Sequence, residues 1–357
     1  MIAVIGGGVV GLASARALAL RGRDVVLLER YRRPGLATST HNSGVIHAGL
    51  YHPPASLKSI LCVEGRERLY AYAGERNLPH MKCGKLIVAN GDSEEVVLDR
   101  LAAGAAANGA VLEPVSAGAL RAREPHVRAT RALWSPATGW IEAEAYVRAL
   151  ELDLQRLDVP VLTSTSLLDC ESSGDRFSLV TPRERIDVDM VVNAAGLYAD
   201  DVSRICGGEA FTIYACRGEY AELAPRACGL VRGLVYPVPH ASGHGLGVHL
   251  TRTMSGAVWI GPTIEYRDRK DDYEDGRLPL DAFLEPTREL LPDITIDDLR
   301  LGGTGIRAKL HPAHQSFADF MIRRDAHQPR LIHAAGIESP GLTASLAIAE
   351  RVASLCQ

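Results

Sequence analysis

Three glycines near the amino end stand at a spacing that can hold a pyrophosphate. Gly6, Gly8 and Gly11 form a G-x-G-x-x-G pattern between a short apolar run, 2–5, and a stretch with apolar residues at helical spacing. Gly6 allows a tight turn, Gly8 lets the backbone approach the phosphates, and Gly11 lets the helix pack closely on the strand. Because the helix begins with free N–H groups and the positive end of its dipole, the pattern favours an anionic dinucleotide.

An acidic residue ends the next predicted strand. Residues 24–29 are mainly Val and Leu and finish on Glu29. A carboxylate at this place can accept hydrogen bonds from ribose hydroxyls, and it disfavours the additional phosphate of NADP. The strand–helix–strand unit with its terminal acid therefore predicts a dinucleotide fold that binds FAD or NAD.

Two later segments favour FAD over NAD. Residues 188–196 read as a hydrophobic strand that runs into small residues, and residues 331–336 read as another. An apolar-periodic helix from Leu342 to Leu355 follows a turn and would direct its N-terminus at a ligand. The positive end of a helix suits the negative charge that develops on a reduced flavin. With the opening unit, these segments predict FAD as the cofactor.

Composition limits the class of protein. The chain has 357 residues, of which 46% are apolar and 23% charged, and a formal net charge of −4. These values are typical of a soluble globular protein, and the length allows two domains with separate cores. The seven cysteines show no C-x-x-C spacing. They therefore indicate neither a zinc site nor a disulfide framework, and we expect no metal and a reducing compartment.

The same composition bears on partners and location. A mildly acidic chain gives no support for nucleic-acid binding. The longest uncharged opening run, Ile2 to Ala15, is rich in glycine and too short to span a bilayer. It also lacks the basic region and cleavage site of a signal peptide. We expect a cytoplasmic protein without a transmembrane segment, and a peripheral membrane contact is left open.

A second block of sequence carries a family resemblance. Residues 38–52, which include H-N-S-G-V-I-H-A-G at 41–49, resemble the second flavin-contact segment of L-2-hydroxyglutarate dehydrogenases. These enzymes belong to the D-amino-acid oxidase superfamily of flavoproteins. Further motifs that resemble this family follow in order along the chain, at residues 56–58, 83–88, 217–220, 236–239, 246–251, 259–262, 305–309 and 339–343.

The resemblance implies a fold and a reaction. The implied fold is α/β, a two-domain FAD-binding Rossmann-type (glutathione-reductase-like) fold with an antiparallel-sheet substrate domain. The implied reaction is FAD-dependent oxidation of L-2-hydroxyglutarate, or a close 2-hydroxyacid, to 2-oxoglutarate by hydride transfer to flavin N5. We expect the FAD-binding domain at residues 1–80, 140–212 and 303–357, and the substrate domain at 81–139 and 213–302.

The expected cofactor contacts come from the fingerprint and from the resemblance. His41 also matches the position at which related dimethylglycine- and sarcosine-type dehydrogenases bond a histidine to the flavin, so a covalent link is one hypothesis. The residues that we expect at FAD are Gly6, Gly8, Val9, Val10, Gly11, Glu29, Arg30, Thr40, His41, Asn42, Ser43, Gly44, Leu167, Ala195, Gly196, Gly336, Pro340, Gly341, Leu342 and Thr343.

Oxidation of a 2-hydroxyacid needs a base for the hydroxyl proton. Histidine is the simplest base near neutral pH, and His249 and His47 are the leading candidates. His249 lies in a stretch that alternates as a strand would, so its side chain could face a pocket. Tyr236 could donate a hydrogen bond to the substrate.

A dicarboxylate substrate needs at least two cationic contacts. Arg307 matches the superfamily position that resembles a carboxylate-binding arginine, and arginine binds a carboxylate with two parallel hydrogen bonds. Arg217 could contact substrate, or it could pair with Glu219 as part of the scaffold. Lys58 and Lys309 are further candidates for the distal carboxylate, although we expect both in the ordinary solvent-exposed state of a lysine.

Two other functions remain open from the sequence. An amine oxidase of the glycine or sarcosine type would use the same fold and flavin chemistry, and a neutral amine substrate would need no second carboxylate site. A flavin-binding protein without turnover could serve as a redox sensor or as a subunit of a larger complex. The electron acceptor, whether oxygen, a quinone or an electron-transfer protein, is not readable from these residues.

Overall fold

The computed structural model of the protein describes residues 1–173, 176–239 and 248–357. Leu246 and Gly247, the first two residues of one predicted motif, lie outside the described residues. The helices are α1 (Val9–Ala19), α2 (Leu57–Glu75), α3 (Asp92–Ala107), α4 (Ala117–Arg123), α5 (Ala143–Arg156), α6 (Ala199–Ile205), α7 (Asp281–Arg288) and α8 (Gly341–Leu355). None of the described helices combines the length and apolarity that are needed to cross a bilayer.

Within residues 1–173, 176–239 and 248–357, the strands form two large sheets and two small ones. They are β1 (Ile2–Ile5), β2 (Val25–Leu28), β3 (Val45–Ile46), β4 (His80–Met81), β5 (Lys85–Ala89), β6 (Glu113–Val115), β7 (Arg131–Ser135), β8 (Gly139–Ile141), β9 (Val161–Leu162), β10 (Asp169–Ser173), β11 (Arg176–Val180), β12 (Arg185–Val188), β13 (Met190–Asn193), β14 (Tyr214–Leu223), β15 (Leu234–Pro237), β16 (His249–Arg252), β17 (Val258–Gly261), β18 (Glu265–Arg267), β19 (Leu299–Lys309), β20 (Met321–Arg324) and β21 (Leu331–Ala335).

The first large sheet contains the predicted dinucleotide unit. Its order is β20-β21-β13-β1-β2-β9, and all neighbours are parallel except β20 and β21. β1, α1 and β2 form the predicted strand–helix–strand unit. All the side chains of both strands are buried in the core. β13, β21 and α8 correspond to the later segments that favoured FAD.

The second large sheet is built from the middle of the chain. Its order is β18-β14-β17-β16-β15-β5-β7-β6, and β19 pairs along the other edge of β14. The pairing is antiparallel, as the predicted substrate domain requires, apart from the parallel pair β15 and β5. β19 belongs to this sheet over its whole length and so crosses the predicted boundary at residue 303. The division into two domains stays a prediction.

Helices α1, α2, α5 and α8 pack together on one face of the parallel sheet. Small side chains allow close contact, since a Cβ added to Gly65 of α2 would lie 2.6 Å from the backbone of Ala344 in α8. The buried Asp153 of α5 accepts hydrogen bonds from Arg16 of α1, from Tyr72 of α2 and from Arg76, which directly follows α2. These contacts join α1, α2, α5 and α8 into one layer.

Candidate active site

A cavity of about 780 Å³ lies between the two large sheets. Its walls include the ends of β1, β2, β13 and β21, which are carboxyl ends of parallel strands, and side chains of the second sheet. Ligands of open α/β sheets bind at this edge. The volume lies within the range of cofactor and substrate pockets.

The turn after β1 consists of glycines, so no side chain keeps a phosphate group away from its backbone. Gly6 has φ +109°, and a Cβ there would lie 2.5 Å from the carbonyl oxygen of Ala194. A Cβ on Gly8 would meet the hydroxyl of Ser39 at 2.8 Å. Gly6, Gly8, Val9 and Val10 line the cavity. The backbone is therefore open to a ligand at the point where the sequence predicts a pyrophosphate.

Gly11 has a different place from the other two glycines. It lies behind the cavity wall, where an added Cβ would overlap the carbonyl oxygen of Gly6. This is the close contact of helix and strand that the spacing predicts. Gly11 therefore shapes the phosphate turn from behind the cavity wall, and its direct contact with the cofactor stays a prediction.

Glu29 lies at the cavity end of β2, only 5% exposed. Its carboxylate accepts hydrogen bonds from the N–H groups of Gly7 at 2.6 Å and Tyr31 at 2.7 Å. Burial raises the pKa of this carboxyl group above its ordinary value, against the lowering effect of those bonds. Each oxygen keeps a lone pair for a ribose hydroxyl. The adjacent Arg30 also lines the cavity and stacks on the ring of Tyr198.

The segment after β2 brings three of the five predicted contacts in residues 40–44 to the cavity. His41, Asn42 and Ser43 line it, and Nδ1 of His41 lies 2.8 Å from the carbonyl oxygen of Ala37. Thr40 lies outside, because its hydroxyl donates to the carbonyl of Gly35 at 2.7 Å. Gly44 also lies outside, and a Cβ on it would overlap the carbonyl oxygen of Ile141.

Of the remaining predicted cofactor contacts, some line the cavity and others lie behind its wall. Gly336 is a supporting residue, since a Cβ on it would overlap Leu310. Thr343 is buried, and its hydroxyl accepts a hydrogen bond from the N–H of His47 at 3.0 Å. Neither is in the cavity wall. The predicted contacts that do line the cavity here are Leu167, Ala195, Gly196, Pro340, Gly341 and Leu342.

Both candidate bases line the cavity. His249 is 8% exposed, and its ring stacks on Tyr236 with centroids 3.6 Å apart and an interplanar angle of 11°. His47 bonds through Nε2 to the hydroxyl of Ser339 at 3.3 Å. Burial, aided by the positive charge of Lys85, lowers the pKa of His47 to about 3. His47 is therefore neutral at physiological pH.

The structure places the two candidate arginines differently relative to the cavity. Arg307 lines the cavity, and both of its terminal nitrogens donate to the carbonyl of Thr263, at 3.2 and 3.3 Å. Arg217 lies outside the cavity with 0% exposure, and its Nη2 contacts Glu219 at 2.8 Å and Glu265 at 3.1 Å. Its Nη1 and Nη2 groups donate to these acids and to the backbone carbonyls of Asp275 and Gly276. Of the two alternatives for Arg217, this placement favours pairing within the scaffold over contact with the substrate.

Two lysines differ from the expected exposed state. Lys58 and Lys309 both line the cavity and are 4% and 14% exposed. Their ammonium groups bind opposite oxygens of Glu338, each at 2.9 Å. Glu338 is not among the predicted site residues, and its only signal in the sequence is an acidic residue within a turn before an apolar helix.

Behind the cavity wall, Lys85 is fully buried on β5. Its ammonium lies 4.2 Å from the ring centroid of Tyr236 and 4.6 Å from that of Tyr51. No hydrogen-bond acceptor among the described residues reaches it. Burial lowers the pKa of Lys85 to about 7. The two aromatic faces are thus its main compensation for lost water.

Comparison with known proteins agrees with the glycine turn and the cavity. The family described as DAO, FAD dependent oxidoreductase, matches residues 1–355. The chain belongs to this family. The predicted FAD cofactor, FAD-binding α/β fold and oxidoreductase class are thereby confirmed.

Individual relatives are similar over the full length of the chain. Mitochondrial L-2-hydroxyglutarate dehydrogenase of Arabidopsis thaliana is 35% identical, over 98% of this chain and 82% of its own length. The enzyme of the same name from Homo sapiens is 32% identical, over 100% of this chain and 88% of its own. The structure of dithionite-reduced L-alpha-glycerophosphate oxidase from Mycoplasma pneumoniae with FAD bound superposes with a TM-score of 0.90 at 25% identity, covering 99% and 94% of the two chains.

The first prediction concerns the packing of the phosphate turn. In the G11A variant the new methyl group overlaps the carbonyl of Gly6, and overpacking of this kind costs about 1–3 kcal/mol. We expect the displaced turn to lower the FAD content of the purified protein several-fold, measured from flavin absorbance per chain. G74A is the matched control, because a Cβ on that exposed glycine of α2 meets nothing within 4 Å. Equal FAD content in the two variants would contradict the assignment.

The second prediction concerns Lys85 and pH. Its ordinary pKa is 10.5, and burial lowers the pKa in the folded protein to about 7. Between these values the unfolded chain holds a proton that the folded chain lacks, so the free energy of unfolding rises by about 1.4 kcal/mol per pH unit. The K85M variant lacks this contribution. We expect wild type to gain stability relative to K85M as the pH rises from 7 to 10 in urea titrations.

The exposed Lys82 provides the control for this measurement. The stability difference between wild type and K82M should not change with pH over the same interval. A pH-independent difference for K85M as well would show that Lys85 keeps its ordinary protonation when the protein folds.

Proposed function

We propose that the protein oxidises L-2-hydroxyglutarate, or a close 2-hydroxyacid, to the corresponding 2-oxoacid. The observation that carries the proposal is an arginine, Arg307, on the wall of the cavity that also contains the phosphate turn and two histidines. Support comes from the full-length similarity to enzymes named L-2-hydroxyglutarate dehydrogenase. Bound FAD would accept the hydride from the substrate carbon; the protein must bind the carboxylate, take the hydroxyl proton and exclude water.

Arg307 suits the carboxylate next to the reacting carbon. A guanidinium carries five N–H donors in a planar fork. The carbonyl of Thr263 takes one donor from each terminal nitrogen and fixes the plane of the group. Further donors are then available for a carboxylate in the cavity. We assign Arg307 to the substrate's 1-carboxylate because it is positively charged, oriented and in the cavity wall.

His249 is our choice for the base. Catalysis by a base is most efficient when its pKa is near the working pH. The pKa of His47, about 3, makes its imidazole a weak base, and its contacts with Ser339 and Thr343 suit a positioning role. His249 lies flat against Tyr236 and is held in one orientation. Tyr236 keeps its proton, since burial raises the pKa of the phenol far above its usual value.

The rival function is oxidation of a small amine such as glycine or sarcosine. It would use the same fold, but glycine and sarcosine have only one carboxylate, for which Arg307 is sufficient, and so give no reason for buried lysines in the same cavity. The two reactions are separated by adding each substrate anaerobically and recording the flavin absorption band. We expect L-2-hydroxyglutarate to bleach the band, and glycine, sarcosine and D-2-hydroxyglutarate to leave it unchanged. Bleaching by an amine alone would favour the rival, and no bleaching by any substrate would favour a flavoprotein without turnover.

Substitution of the two histidines tests the assignment of the base. We expect H249N to lower the rate of flavin reduction by about 10²–10⁴-fold, which is the usual contribution of a general base. H47N should cost less and should leave the pH profile unchanged. Both variants must retain the FAD content of wild type for the comparison to hold. A larger loss in H47N, with a shifted pH profile, would exchange the two roles.

We further propose a cytoplasmic enzyme that passes its electrons to an acceptor still to be identified. All seven cysteines are free thiols, which is typical of a reducing compartment. Reoxidation of the reduced protein by oxygen, by a soluble quinone and by an electron-transfer flavoprotein can be compared directly. The fastest reoxidation identifies the class of acceptor.

A further inference from the structure

Three charged side chains are buried together in the cavity wall. Lys58, Lys309 and Glu338 are 4%, 14% and 8% exposed, and each ammonium binds one oxygen of the single carboxylate at 2.9 Å. Two positive charges therefore share one negative charge. The lysines hold the pKa of Glu338 at about 2, although burial alone would raise it. The cluster carries one net positive charge in a place with little access to water.

Such a cluster is costly unless a ligand completes it. Removing an ammonium group from water without a full counter-charge has a large desolvation cost. Glu338 can compensate one lysine completely, but it cannot compensate two. Partial support comes from the rings of Phe317 and Phe320, which lie 5.2 and 5.5 Å from the ammonium of Lys58. An anion that enters the cavity would supply the missing negative charge.

Neighbouring groups do not remove this excess charge. Asp319 accepts hydrogen bonds from the backbone N–H groups of Leu57 and Lys58, and in the described residues it forms no ion pair with either lysine. Burial lowers the pKa of His52 to about 4, and burial also lowers the pKa of His311. These histidines are therefore neutral near pH 7. They add neither a counter-charge nor a further positive charge.

The remaining donors of Lys309 can reach a ligand. An ammonium group has three N–H donors. One is directed at Glu338, and Nε2 of His311 lies 3.4 Å away as an acceptor for a second. Among the described residues no acceptor is recorded for the third. Because Lys309 lines the cavity, that donor is available to a bound anion.

The position of Lys309 relative to Arg307 suits a dicarboxylate. The two residues are alternate residues of β19, so their side chains leave the strand on the same face, about 7 Å apart at the backbone. Both line the cavity. The terminal carbons of a five-carbon diacid are separated by four bonds of about 1.5 Å, hence by about 5 Å when extended. One such molecule can contact both cations.

We propose that Lys309, supported by Lys58 and Glu338, binds the distal carboxylate of the substrate and makes the enzyme select dicarboxylic 2-hydroxyacids. Glu338 orients both ammonium groups and limits their excess charge to one, which matches one carboxylate. Lys309 is thus a specificity-determining residue, and Lys58 and Glu338 are positioning residues. The inference rests on the proposed oxidation of a 2-hydroxyacid and names the residues that choose among such acids.

The test compares two substrates that differ in the distal group. L-2-hydroxyglutarate and L-2-hydroxyvalerate have the same number of carbons, but only the first has a second carboxylate. A hydrogen bond to a charged group contributes about 1.5–3 kcal/mol. We therefore expect K309M to lower kcat/KM for L-2-hydroxyglutarate by about 10–150-fold, mainly through KM, and to change kcat/KM for L-2-hydroxyvalerate by less than about threefold.

Two further variants separate specificity from folding. K309R keeps the charge and should restore part of the preference for the dicarboxylate. K82M removes an exposed lysine and should behave as wild type with both substrates. A K309M variant with normal FAD content that loses activity equally on both substrates would overturn the proposal, because a purely structural lysine acts on both alike.

A binding measurement keeps the proposal testable if K309M fails to fold or if the reaction is different. The oxidised wild-type enzyme is titrated with 2-oxoglutarate and with 2-oxovalerate, and the change in the flavin spectrum is followed. We expect 2-oxoglutarate to bind at least tenfold more tightly, with the preference reduced at high salt. Equal affinities would overturn the distal site. Preference for the dicarboxylate without reduction by any 2-hydroxyacid would instead keep the site and refute the proposed function.

Discussion

The site depends on how closely the backbone after β1 approaches its neighbours. At Gly6 and Gly11 there is no room for a Cβ, because the carbonyl of Ala194 and the turn itself occupy that space. The closeness lets α1 begin directly at the end of β1, with its first N–H groups at the cavity. A larger residue would move the helix away from the sheet. The phosphate turn, the edge of the sheet and the helix layer would then lose their common alignment.

Burial of positive charge is the second constraint on this site. Lys58 and Lys309 share Glu338, whereas Lys85 rests on the faces of Tyr51 and Tyr236. A carboxylate compensates charge strongly, and an aromatic face compensates it weakly. The difference agrees with the lowered pKa of Lys85. The lysines paired with Glu338 are on the cavity wall, whereas Lys85 lies in the layer behind it.

Local patterns made the cofactor half of the site predictable. The glycine turn, Glu29 and the helix beginning at Gly341 are each defined by residues adjacent in sequence, so spacing alone indicates their geometry. The substrate half is assembled from distant parts of the chain. Lys58, Lys309 and Glu338 come from α2, β19 and the turn before α8, and no spacing rule links them. Arg217 shows the same limit, because only the fold reveals that acids surround it.

The contact between Gly65 of α2 and Ala344 of α8 joins the two halves mechanically. Helix α2 carries Lys58 near its first turn, and α8 follows directly after Glu338. Lys58 and Glu338 form an ion pair. Since α2 and α8 are in close backbone contact, a shift of either partner of this pair would also move the other helix. The same α8 begins at the cofactor side of the cavity. Recognition of the far end of a substrate and seating of the cofactor therefore share a single rigid support, and an evolutionary change in one is constrained by the other.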